Sequence, residues 1–341
     1  MLNHMSYNLE IKIAGKHVTL KKLSKKKYFN YQVKNPPTPA SKGQSQNTRE
    51  NFLKSIVRAR KRVFDIIACN VNVIPDLHGE IQRPKFWTLT FADHVTDLEV
   101  ANDEFTKFNK RLSWHLYGVR KNVLKYICIP EFMKNGRVHF HILYFNLPYV
   151  EQSKFQSIWG NGWTFVKGVS KKENIMDFAS YVAKYINKEN SKGEDNYDIY
   201  LEKDMLNRKR YFCSRGLNKP EIYKLDIDNE LYDSLMAMLQ DFHSFNGSYA
   251  NDFIGNVDIN SYEIEDNKMI QSIINIVNTM FKIMKEIYSQ EVRITFKDVK
   301  KYLLPKTFYE IQKVKKKIWD KLHFIECPMT NEEMKMLGVI Q

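Results

Sequence analysis

The chain has 341 residues, of which 43% are hydrophobic and 13% aromatic, and these values predict a globular protein with two or three domains. No uninterrupted apolar run is long enough to span a membrane, and the first residues lack the apolar core of a signal peptide. The four cysteines lie far apart without a CxxC pair, which argues against a disulfide framework or a zinc knuckle and favours the cytoplasm.

The net charge of +14 is unevenly distributed along the chain. Residues 1–62 carry a net charge of +13, residues 63–224 carry +5, and residues 225–341 carry −4. Basic segments of this kind bind polyanions, so the distribution predicts a nucleic-acid partner, with a membrane surface as the lesser alternative.

The first segment, residues 1–48, combines lysines and tyrosines with a Pro/Ser/Gly-rich stretch, and is predicted to be a flexible basic arm. A helix is predicted from Thr48 to about Asn70, with one apolar stripe and one basic stripe. The basic stripe is equally compatible with a DNA-backbone contact and with a solvated face.

The middle segment alternates predicted strands and helices. A strand at Lys85–Phe91 precedes a helix, a hairpin at Ile127–Phe145, a second helix and a strand at Trp163–Val169; Arg208–Gly216 is predicted to be a basic edge strand. This order predicts an α+β domain with an antiparallel sheet over residues 49–224. Residues 225–341 are predicted to form a mainly helical C-terminal domain, with a long amphipathic helix at Lys268–Gln290.

The hairpin contains two histidines, His139 and His141, which alternation along a strand puts on the same face. With a two-residue Asn-Gly turn, Glu131 would face the residue between them. With a three-residue loop and Gly136 in the left-handed conformation, Glu131 faces His139 instead, and we favour this register. Glu131, His139 and His141 are then candidate metal ligands, although two histidines on a wet strand face are an alternative. Phosphate chemistry would favour Mg²⁺ or Mn²⁺, and the imidazoles favour Mn²⁺.

A second candidate element follows a capping-box pattern at Ser170–Glu173, where a helix is predicted to begin. Tyr181 and Tyr185 lie one turn apart, and each is followed three residues later by a lysine, Lys184 and Lys188. A tyrosine hydroxyl can attack a phosphodiester and form a covalent phosphotyrosine, while either lysine offsets the charge. Half-buried helix tyrosines that only pack are the alternative.

These residues resemble the HUH endonucleases. VHFHIL matches their His-hydrophobe-His motif, YVAKYINK their two-tyrosine motif, and KFWTLTF their first strand. The segment from about Asn51 to Pro220, with WGNGWTF and RYFCSRGLNKP, looks most like rolling-circle replication initiators of bacterial plasmids and small single-stranded DNA phages. The resemblance implies a ferredoxin-like (RRM-like) catalytic domain that nicks single-stranded DNA at an origin, forms a 5′-phosphotyrosine and leaves a 3′-OH primer. It also implies His139, His141 and Glu131 as metal ligands and Tyr181 and Tyr185 as nucleophiles.

The partners expected from this resemblance are single-stranded and origin duplex DNA, a host polymerase and a host helicase, since no P-loop motif occurs in the chain. Whether the protein acts as a homodimer stays open. Two other functions are considered: a two-tyrosine HUH transposase, which usually carries a cysteine-rich zinc segment that this chain lacks, and a non-catalytic RRM-like nucleic-acid-binding protein. A plasmid-mobilising relaxase fits less well, because relaxases usually place the tyrosine before the histidines.

Overall fold

A computed structural model describes residues 6–28, 48–133, 135–168, 174–186, 209–251 and 254–287. The protein is a mixed α/β structure with two antiparallel sheets, and it divides into two compact units. One unit comprises residues 38–219, and the other combines residues 1–37 with residues 220–341. Among the described residues, no helix has the length and apolar character needed to cross a membrane.

The elements are numbered in chain order. The strands are β1 (Ser6–Ala14), β2 (His17–Tyr28), β3 (Lys85–Phe91), β4 (Tyr126–Phe132), β5 (Val138–Tyr144), β6 (Gly162–Gly168), β7 (Phe212–Cys213), β8 (Glu221–Leu225), β9 (His243–Asn251) and β10 (Gly255–Glu263). The α-helices are α1 (Thr48–Asn70), α2 (Leu98–Tyr117), α3 (Gln152–Trp159), α4 (Ile175–Ala183), α5 (Asn229–Leu239) and α6 (Asn267–Ile287).

The unit formed by residues 38–219, which we call the central unit, is built on a five-stranded sheet in the order β6-β3-β5-β4-β7. The chain builds it as β3-α2-β4-β5-α3-β6, a βαββαβ succession in which every neighbouring pair is antiparallel. The strand at Lys85–Phe91, the helix at Thr48–Asn70 and the hairpin were predicted correctly. The basic edge strand reduces to β7, which pairs with β4.

The two faces of this sheet are covered differently. On one face, α2 and α3 pack aromatic rings against the strands, with the rings of Trp87 and Phe155 stacked 3.6 Å apart. On the other face, Phe86 of β3 meets Phe178 of α4 edge to face at 6.2 Å. Helix α1 supports α4 from outside, because Arg60 donates a hydrogen bond to the carbonyl of Ile186.

The second unit shows that the prediction of a flexible basic arm is wrong for residues 6–28. Strands β1 and β2 lie inside a five-stranded sheet of order β8-β1-β2-β10-β9. The apolar residues of β1, with Leu9 and Ile11 among them, are buried in a cluster with residues of α5 and α6. The lysines hide this alternation in the sequence, because they supply the other positions of the same strands.

The prediction of a mainly helical C-terminal domain is corrected in the same way. The described part of residues 225–341 contains β9 and β10 as well as α5 and α6, and these strands pair with each other and with β2. Helix α6 confirms the predicted long amphipathic helix over its described length. The second unit therefore draws on both ends of the chain, and its boundary lies at Pro220 rather than at residue 225.

Candidate functional site

The hairpin of β4 and β5 adopts the register with the three-residue loop. Glu131 pairs with His139, and the amide of Met133 donates to the carbonyl of Arg137 at 2.9 Å. Gly136 has φ +76°, the left-handed conformation that glycine adopts without steric penalty. The turn chemistry therefore sets which residue faces the histidines, and the carboxylate of Glu131 lies on the histidine face.

The imidazole of His141 is held at both ring nitrogens. Its Nε2 lies 2.5 Å from Oε2 of Glu131, and its Nδ1 lies 3.2 Å from the hydroxyl of Thr88 on β3. A hydroxyl both donates and accepts, so Thr88 can orient the ring in either tautomer. Thr88 is a positioning residue that the histidine motif alone does not reveal.

The second histidine, His139, is held less firmly. Its Nε2 atom is buried and has no hydrogen-bond partner within the described part of the chain. Burial lowers the pKa of His139 to about 4, and the neighbouring His141 adds to this effect. The ring is therefore neutral at physiological pH and keeps a lone pair on one nitrogen, which is the form that binds metal ions.

Glu131, His139 and His141 match a divalent cation in the kind of donor they offer. As they stand, however, no three His, Cys, Asp or Glu side chains among the described residues are arranged to hold a metal ion. The contact between Glu131 and His141 is one reason, because ligand atoms at about 2.1 Å from an ion in octahedral geometry lie about 3 Å apart. Their 2.5 Å separation would have to open by roughly half an ångström before both could bind one ion.

The two tyrosines lie at the end of α4 and in the turn that follows it. The helix begins at Ile175, where Asn174 accepts a hydrogen bond from the amide of Asp177. The predicted start at Ser170 is thus wrong for α4, and the capping-box residues 170–173 lie outside the described residues. The amide of Tyr185 bonds to the carbonyl three residues before it, a tighter pattern than that of an α-helix.

The hydroxyls of Tyr181 and Tyr185 lie 2.7 Å apart and are hydrogen-bonded to each other. The ring of Tyr185 also lies against the imidazole of His141, with the ring centroids 3.9 Å apart. The structure therefore brings the predicted tyrosine pair to the predicted histidine pair, although the two motifs are about 40 residues apart in the chain. The ring of Phe86 contacts His141 and both tyrosines.

The two tyrosines have different surroundings. Burial raises the pKa of Tyr185 well above its usual value, and the hydrogen bond with Tyr181 raises it further. Tyr181 instead has the ammonium group of Lys167 over its ring, 3.9 Å from the centroid. A cation at this distance favours negative charge on the phenol more than the environment of Tyr185 does.

The lysine near the tyrosines is not one of the two predicted. Lys184 is exposed in the turn after α4, and Lys188 lies outside the described residues. Lys167 comes from β6, where it pairs with Phe86 of β3. Its place in the sequence gives no motif, and only the register between β3 and β6 brings it to the tyrosines.

Residues 84–190 match the family described as replication-associated protein, ORF2 or gene II protein. This range begins one residue before β3 and includes the hairpin and both tyrosines. The chain is also similar to the phasyl DNA replicon protein arp of Escherichia coli, with 28% identity over 152 residues, which cover 38% of this chain and 51% of that protein. The chain thus spans about half the length of this relative. No solved structure matches the chain. Both similarities point to replication-associated proteins.

Proposed function

We propose that this protein initiates rolling-circle DNA replication by nicking and rejoining single-stranded DNA through a phosphotyrosine, as a two-tyrosine member of the HUH endonucleases. The observation that carries the proposal is the contact of Tyr185 and its partner Tyr181 with the His141–Glu131 pair. The βαββαβ succession of the central unit, with its strand order, supports a ferredoxin-like catalytic fold. The similarity to replication-associated proteins over the same residues supports DNA as the substrate.

Glu131, His139 and His141 are the residues that would hold a divalent cation, Mn²⁺ or Mg²⁺. Such an ion would polarise a phosphodiester oxygen of the bound strand. The unpaired Nε2 of His139 supports this assignment, because a buried imidazole nitrogen without a partner is costly unless something binds it. Thr88 orients His141, and Phe86 holds the imidazole against the tyrosine rings.

The nucleophile in this proposal is Tyr181. Its oxygen forms a bond to phosphorus while the bond from phosphorus to the 3′ oxygen breaks, and the phenolic proton ends on the leaving 3′ oxygen or in solvent. Tyr185 donates a hydrogen bond to the attacking oxygen, and Lys167 offsets its negative charge. The products are a 5′-phosphotyrosine and a free 3′-OH that a host polymerase could extend.

The test uses single-stranded DNA of pooled sequence, labelled at either the 5′ or the 3′ end and incubated with the protein and Mn²⁺. The 3′ label is expected to migrate with the protein after denaturation, and the 5′ label is expected to leave on a shorter fragment that a polymerase can extend. Mass spectrometry of the adduct should identify Tyr181 or Tyr185. The Tyr181→Phe/Tyr185→Phe double variant, which keeps both rings, is the matched control and should form no adduct.

Three results would contradict parts of this proposal. Binding without any adduct would favour the non-catalytic RRM-like protein. A 5′ label that stays with the protein would mean the opposite polarity of attachment. An adduct that forms in the presence of EDTA would exclude a role for the metal ion in cleavage.

A further inference from the structure

Cross-strand pairing defines three rows of side chains on the histidine face of the central sheet. The first row contains Glu131, His139, Thr90 and Trp163, the second contains His141, Thr88 and Phe165, and the third contains Phe86 and Lys167. Residues directly opposite each other in antiparallel strands point to the same face. Trp163 and Phe165 of β6 therefore share a face with the candidate metal ligands.

These two aromatic residues are exposed, unlike the other rings of the face. Trp163 is 58% exposed and Phe165 is 65% exposed, whereas Phe86, in the third row, is buried beneath the tyrosines. Helices α2 and α3 pack on the opposite face of the sheet, so they do not cover them. Large exposed aromatic rings beside a polar site indicate a contact surface.

We propose that Trp163 and Phe165 form a stacking platform for the unpaired bases next to the cleaved phosphate. This inference rests on the proposed function and adds to it the part of the DNA that the protein holds. Aromatic rings bind single-stranded nucleic acid by stacking on bases of any sequence. The platform thus fits unpaired bases, which offer their faces, and not a duplex, where the faces are already stacked.

The position of the platform agrees with this ligand. Adjacent strands lie about 4.8 Å apart, so the rings are about 10 Å across the sheet from the histidines. In a stacked strand with a rise of about 3.4 Å per nucleotide, this is a distance of roughly three nucleotides. Along β6, Trp163 and Phe165 are followed on the same face by Lys167, whose ammonium lies over the ring of Tyr181.

The charge next to the platform is complementary to DNA. Lys167 offers a phosphate contact between the aromatic rings and the tyrosine nucleophile. The strand β6 lies at the edge of the sheet, so a bound polynucleotide can run along it without crossing another strand. This order predicts that Phe165 holds the base nearer the cleaved phosphate and Trp163 the base farther from it.

The test measures binding of fluorescein-labelled dT12 by the full chain in EDTA, where cleavage is not required. A 12-mer of abasic deoxyribose phosphate carries the same charge and lacks bases, so it reports on phosphate contacts alone. The wild type is expected to bind dT12 more tightly than the abasic strand. The W163A/F165A variant should lose about 5-fold or more in affinity for dT12 per ring removed, with no change for the abasic strand.

The salt dependence separates stacking from charge. W163A/F165A should leave the slope of log K against log salt unchanged, because no counterion contact is removed. The W163Y/F165Y variant, which keeps an aromatic ring at each position, should retain binding, and this guards against a folding effect. W114A removes a tryptophan that is 55% exposed on α2 and should not affect dT12 affinity.

Equal wild-type affinity for dT12 and the abasic strand would overturn the platform. The same holds for an unchanged dT12 affinity in W163A/F165A, or for an equal loss in W114A. These outcomes do not depend on adduct formation. A protein that binds dT12 as described but forms no adduct would refute the proposed nicking and leave the platform standing.

Discussion

The unequal surroundings of the two tyrosines lead to a prediction for the Tyr185→Phe variant. The substitution keeps the ring against His141 and Phe86 but removes the hydroxyl that lies 2.7 Å from the oxygen of Tyr181. A hydrogen bond to a group that becomes charged contributes about 1.5–3 kcal/mol. If Tyr181 attacks, the loss corresponds to adduct formation that is about 10- to 150-fold slower, with the adduct still on Tyr181.

Tyr181→Phe should be slower still. The remaining Tyr185 has a pKa raised by burial, and Lys167 lies over the ring at position 181 rather than over Tyr185. Both rates are measured in single turnovers with 3′-labelled single-stranded DNA, and Tyr149→Phe, at an exposed tyrosine, is the control. A Tyr185→Phe rate within about twofold of wild type would refute the role of the hydroxyl, since even 1.5 kcal/mol predicts a larger change. A faster Tyr181→Phe variant would reverse the assignment of the two tyrosines.

Three further predictions concern the metal ion, the platform strand and the second unit. Mn²⁺ should raise the melting temperature of the wild type by mass action, and His139→Ala should lose this shift; an equal shift in both proteins would place the ion elsewhere. Gly162→Ala should lower the free energy of unfolding by about 2 kcal/mol or more in a denaturant titration. Gly162 has φ +145°, and an added Cβ would lie 2.3 Å from a backbone oxygen of β3, whereas Gly168→Ala, with open space around it, should be neutral. Deleting residues 1–28 should abolish hydrogen-exchange protection in β10, because β2 is its neighbour in the sheet; retained protection would mean that the sheet forms without β1 and β2.

The parts of the site that were predictable from sequence depend on local periodicity. Alternation along β5 puts His139 and His141 on one face, and the Asn-Gly loop sets the register that brings Glu131 to them. Spacing along a helix likewise puts Tyr181 and Tyr185 one turn apart. These relations involve residues within about one hairpin or one turn, where the geometry of the chain leaves few alternatives.

The parts that were not predictable depend on pairing between distant segments. Lys167 reaches Tyr181 only because β6 pairs with β3 in one particular register. Strands β1 and β2 are stable because β8 and β10, about 200 residues later, complete their sheet. From composition alone, the lysines of residues 21–27 indicate a solvated arm, whereas the buried Leu20 and Leu23 between and beside them pack in the second unit.

The hydrogen bond between the tyrosines also bears on the order of the two cleavages that rolling-circle replication needs. While Tyr181 is free, its oxygen accepts from or donates to Tyr185, and this contact helps to keep the pKa of Tyr185 high. Once Tyr181 is esterified to the DNA 5′ phosphate, its oxygen has no hydrogen to donate and is a poorer acceptor. Tyr185 then loses one of the interactions that oppose its ionisation, at the stage when a second nucleophile is needed. The pair would therefore act in sequence within one active site, with Tyr181 starting the reaction and Tyr185 ending it, and neither a second subunit nor a water molecule would be required to release the DNA.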